Sequence, residues 1–106
     1  MIKNSLEKKY YSSYRPDARP LNGCFLGLHA FIAVQNFYSK LIKEKQNKDL
    51  IIRFIDAYIK NKKMIDVIQK YAHFSKIGKV FFEDIKTKFN SDDDNFKTVS
   101  KKYPNI

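Results

Sequence analysis

The chain has 106 residues, 21 Lys and Arg against 11 Asp and Glu, and a formal net charge of +10. Hydrophobic residues make up 43 % of it, with nine Phe, seven Tyr and no Trp. That length fits one domain and excludes two, the apolar content excludes a disordered chain, and a lone cysteine, Cys24, excludes an internal disulfide.

Three Gly and three Pro are the only strong breakers, and three of these six fall within residues 16–23. The remainder therefore favours long helices over many strands. The expectation is an all-α fold: a small single-domain bundle of four to five helices, with an irregular basic arm over residues 1–23 and the helical domain over 24–106. In the arm, residues 5–14 can form a short helix, which Pro16 and Pro20 then prevent from continuing. Tyr10, Tyr11 and Tyr14 alternate with Lys3, Lys8, Lys9, Arg15 and Arg19.

The first long helix is predicted over residues 24–44, with Leu28, Phe31, Val34, Phe37, Tyr38, Leu41 and Ile42 facing inward at three- and four-residue steps. Its first half is apolar nearly all round, as expected of a central helix. A second helix is predicted over 50–60 behind an Asn47 or Asp49 cap, with Ile51, Phe54, Ile55, Tyr58 and Ile59 inside. The polar run at 61–63 reads as a break, and a short third helix follows over 64–72.

His73 and Phe74 form a turn, and Ser75 caps a fourth helix over 75–89. Ile77, Phe81, Ile85 and Phe89 form its expected inner face, flanked by Phe82. Lys76, Lys79, Glu83, Lys86 and Thr87 lie opposite. Three consecutive Asp (92–94) and the Lys101–Lys102 pair suit the two ends of a last short helix through its dipole. Phe96, Val99 and Tyr103 form that helix's inner edge, and Pro104 stops it.

Little in the chain points to catalysis. Cys24 lies near a helix start, which favours a thiolate, but no base or oxyanion hole accompanies it. His29 and His73 are not at metal-ligand spacing, and His29 reads as a satisfied or half-exposed core histidine. The three Asp read as a helix cap, and nucleotide-binding glycine motifs are absent. The expectation is a protein that is not an enzyme and uses no cofactor and no metal.

Charge points instead to anionic partners, although abundant Lys, Asn and Ile also reflect an AT-rich coding bias. The uncharged run 21–39 contains His29, Gln35 and Asn36, so a buried amphipathic helix is expected there, not a membrane span. The lone cysteine and the absence of an apolar signal segment lead to the expectation of an intracellular, cytoplasmic protein.

Residues 49–89 resemble the general helix-turn-helix plan. Ala72 stands where helices approach, Ser75 caps the second helix of the pair, and Lys76 and Lys79 lie on its exposed first turns. That resemblance implies a small nucleic-acid-binding or regulatory protein gaining affinity mainly from phosphate contacts. The expected contacts are Lys76, Lys79, Lys86 and His73, then Lys60, Lys62 and Lys63, then Arg15 and Arg19 on the arm. The alternative is an adaptor or inhibitor that docks on an acidic protein surface, as small basic helical proteins of viruses and mobile elements do.

Overall fold

The computed structural model of the chain describes residues 2–4, 8–10, 12, 14 and 18–104. Among these it contains two paired two-residue strands, β1 (Lys9–Tyr10) and β2 (Arg19–Pro20). Four helices follow: α1 (Leu21–Glu44), α2 (Lys48–Tyr71), α3 (Lys76–Asn90) and α4 (Asp93–Lys102). The protein is all-α in class. Three long helices and one short terminal helix replace the five helical segments read from the sequence.

The difference arises mainly in α2. The polar run at 61–63 does not break the helix, because Asn61 is fully buried and its side chain is satisfied inside the bundle. Its amide nitrogen donates to the Phe31 carbonyl and to Gln35 Oε1, and its Oδ1 accepts from the Tyr14 hydroxyl. A polar residue reads as a loop only when its hydrogen bonds must go to water; here they go to three protein partners. The separate helices over 50–60 and 64–72 are therefore one helix of 24 residues. The three-helix arrangement over 49–89 that carried the helix-turn-helix resemblance is absent.

The caps follow local chemistry. Asn47 Oδ1 accepts from the Asp49 and Leu50 N–H groups, and Ser75 Oγ accepts from Gly78 N–H at 3.0 Å. Asp93 and Asp94 occupy the first turn of α4, and Lys101 and Lys102 occupy its last.

Inward faces differ from expectation in α1 and α3, and at one position of α2, where Ile59 is exposed. In α1 the buried stripe is Leu21, Cys24, Phe25, Leu28, Ile32, Gln35, Ser39 and Ile42. Phe31, Val34 and Phe37, expected inside, are exposed. A helix apolar on every side gives periodicity nothing to choose between, and two polar residues settle the choice. Gln35 bonds Asn61, Asp92 and the Phe89 carbonyl, while Ser39 accepts from the Asn95 amide. In α3 the buried face is Gly78, Phe82, Ile85 and Phe89. Ile77 is exposed and Phe81 half-buried, because Phe82 takes the inner position, stacked on Phe74 at 5.0 Å and set against Phe25.

α1 and α2 run antiparallel, and α3 runs parallel to α1. Phe25 meets Phe81 and Phe82, and Asn36 reaches the Lys88 carbonyl. α4 continues α3 after the turn at Ser91–Asp92, and Phe96 and Val99 close the far end against Phe54, Ile42 and Ile51. The third rod of the bundle is thus a broken helix. Gln35, Asn61 and Asp92 form a buried polar layer between two apolar cores, one around Phe25, Met64 and Phe82 and one around Ile42, Phe54 and Val99. Such a layer fixes helix register when every member is satisfied.

The described arm residues pack on this body. Ile2 is buried and bridges to Phe74, and the Lys3 N–H donates to the His73 carbonyl. Asn4 bonds both the Tyr71 carbonyl and the His73 N–H, securing the end of α2. Tyr14 stacks on Phe31 at 4.4 Å and lies so close to Gly27 that an added Cβ would meet its ring at 3.1 Å. The possible helix over 5–14 is corrected by β1 at Lys9–Tyr10; residues 5–7, 11 and 13 lie outside the described residues.

Two phenols record this packing. Burial, reinforced by the nearby Cys24 thiol, pushes the Tyr14 phenol far above its ordinary range. Burial, then the Asp93 hydrogen bond and the charges of Asp93 and Asp92, does the same for Tyr58. Both groups hold their protons more tightly folded than unfolded. Their contribution to stability is therefore complete below the unfolded phenol value of about 10 and declines as pH rises above it. A spectrophotometric alkaline titration should show these two of the seven tyrosines ionising only as helicity is lost. Ionisation of all seven with circular dichroism unchanged would contradict the packing described.

Candidate interaction surface

The residues expected to contact phosphate do not form one surface. Arg15 lies outside the described residues, and Arg19 belongs to β2. On α2, Lys60 pairs with Asp56 at 3.1 Å and Lys62 with Asp66 at 3.0 Å, while Lys63 is exposed. His73 is exposed in the α2–α3 link, with both of its backbone polar groups bonded to the arm. Lys76 and Lys79 are exposed on the first turns of α3. Lys86 is different: its side chain is 26 % exposed, pairs with Glu83 at 3.1 Å and lies over the Phe82 ring at 5.2 Å. The expected Lys76, Lys79 and Lys86 face therefore reduces to two open cations at one end.

The outer face of α3 carries two largely exposed aliphatic side chains among polar ones: Val80 near its middle and Ile77 to one side, with Lys76, Glu83, Asp84 and Thr87 around them. At 100° per residue, Val80 lies almost opposite the buried Gly78, Phe82, Ile85 and Phe89 face. Ile77 is 75 % exposed and Val80 is 72 % exposed. With Lys76, half-buried Phe81 and Asp84 they line a shallow open depression. Water contact with two aliphatic side chains is a standing cost that a docked partner relieves.

The surface continues toward α1. His29 is exposed and packs its ring on Phe81 at 5.1 Å, so it lies at the edge of the core and not within it. Beyond it, a groove between α1 and α3 is lined by Ile32, Ala33, Phe37, Lys40, Ile85 and Lys88. Among the described residues no group of three or more His, Cys, Asp or Glu could hold a metal ion. Cys24 is buried in the core. Among the described residues no helix is long and apolar enough to cross a membrane.

Sequence reasoning missed Ile77 and Val80 as surface residues. A signal was present: α3 carries six large apolar side chains between 77 and 89, more than one helical face accommodates. No protein-family model, curated protein or solved structure matches the chain.

Proposed function

We propose that this chain is a non-enzymatic protein-binding module that docks on an acidic protein partner through the outer face of α3. The observation that carries the reading is the pair Ile77 and Val80, both largely exposed, with Lys76 and Lys79 beside them. Apolar anchors within a polar, charged rim are the anatomy of a protein interface. Exposed apolar patches with such rims mark interaction sites more often than they mark idle surface. The +10 charge steers an acidic partner toward the patch and speeds encounter, while the aliphatic pair supplies the buried contact.

Phosphate recognition draws less support from the geometry. A nucleic-acid surface clusters its cations on one face; the exposed face of α3 instead mixes Lys76 and Lys79 with Glu83, Asp84 and the aliphatic Ile77 and Val80.

A photoreactive phenylalanine analogue placed at position 80, in the cells that make the protein, tests the reading. The expected product is a discrete protein adduct that disappears in the Ile77→Ser variant and is not formed from position 63. Because Ile77 and Val80 are exposed, Ile77→Ser and Val80→Ser should change folding stability by only about 0.5 kcal/mol or less. A nucleic-acid adduct at position 80, or equal protein labelling from position 63, would overturn the proposal.

A further inference from the structure

The outermost stripe of α1 suggests a second partner surface, independent of the α3 reading. Directly opposite the buried Leu21–Ile42 stripe, the 100° helical step places Leu26, Ala30, Ala33 and Phe37. All four are exposed, Leu26 by 62 % and Phe37 by 59 %. No Asp, Glu, Lys or Arg occurs from residue 21 to residue 39. On a chain of net charge +10, this is an extended exposed helix face free of charged side chains. A highly charged partner would gain no ion pair there, whereas another strongly positive molecule could approach without placing like charges in contact.

The stripe also has an internal symmetry. Its steps are four, three and four residues, and its side chains run large, small, small, large. Turned end over end about the midpoint between Ala30 and Ala33, it maps onto itself, with Leu26 on Phe37 and Ala30 on Ala33. A two-fold interface requires such self-complementarity, each position meeting its symmetry counterpart. The two alanines at the axis let the helices approach to the short end of the usual interaxial range, about 8 Å, and the large residues close over both ends.

We infer that the occupant of this face is a second copy of the chain, packed through antiparallel α1 helices with Leu26 of each protomer against Phe37 of its partner. The contact spans about three helical turns, or roughly 17 Å, which is at the small end of specific interfaces and implies micromolar self-association.

Sedimentation velocity from about 1 to 300 µM, bracketing that affinity range, is the test. The unmodified chain should shift from its monomer mass of 12.6 kDa toward twice that value with rising concentration. Ala30→Glu alone and Ala33→Lys alone should each remain monomeric, with helicity retained because both positions are exposed. Mixed together, these two variants should recover a one-to-one dimer, because the antiparallel register sets position 30 of one protomer against position 33 of the other. A parallel register pairs each position with itself and predicts no recovery. A monomer at every concentration, a dimer insensitive to both substitutions, or two silent variants that fail to rescue each other would overturn the inference.

Discussion

Asn61→Leu should destabilise the fold by roughly 2–6 kcal/mol, because it strips the partner from two buried polar groups at about 1–3 kcal/mol each. Gln35 Oε1 and the Tyr14 hydroxyl both depend on the Asn61 side chain, and Gln35 is fully buried. Leucine shares the branching of asparagine at Cγ, is bulkier, and leaves no room for a replacement water. The loss is expected as a lower urea midpoint with little change in slope. Effects at Gln35 and Asn61 should be strongly non-additive, since they are members of one network. A change below about 1 kcal/mol would mean that the polar layer is open to water and does not hold the register.

Phe82→Ala should cost about 3–5 kcal/mol, the loss expected for truncating a buried aromatic. Phe82 is 2 % exposed, stacked on Phe74 and packed against Phe25. Phe81→Ala should cost clearly less, because its half-buried ring rests on His29 at the rim of the core. Chemical denaturation of the two variants side by side reads the register of α3 directly. Equal losses, or a larger loss at Phe81, would rotate the helix by one residue and return Ile77 to the interior.

Much of the fold is legible in the sequence where local chemistry decides the outcome. The Asn47 and Ser75 caps and the acidic start and basic end of α4 act within a few residues, and each stands where expected, whereas the turn expected at His73–Phe74 is an extended link in which Phe74 bridges to Ile2. Reading failed where the outcome depends on partners distant in the chain. Asn61 looks like a break until Gln35 and Tyr14 are known to meet it, at separations of 26 and 47 residues. The inner side of α1 is set by Gln35 and Ser39, whose partners Asp92 and Asn95 lie on the far side of α3.

The surface was harder to read than the core for a related reason. Lysines in a sequence look available, but Lys60, Lys62, Lys86 and Lys88 each lie beside a carboxylate three or four residues away on the same helix. Apolar residues look buried, but α1 and α3 carry more of them than their inner faces hold. The excess includes Leu26 and Phe37 on α1 and Ile77 and Val80 on α3, and the functional reading rests on the second pair.

Fluorescence anisotropy with labelled duplex and single-stranded oligonucleotides, at low salt and near 0.15 M, tests most directly whether apolar positions rather than cations carry recognition. Non-specific phosphate attraction of a cationic chain is weak at physiological salt, with dissociation constants of about 1–100 µM. The account predicts nothing tighter than that non-specific range at about 0.15 M salt, on either kind of strand. Saturable binding at least tenfold tighter than that range, with a steep salt slope that falls by about one unit for each of Lys76→Ala and Lys79→Ala, would contradict it and restore the phosphate-binding reading of α3.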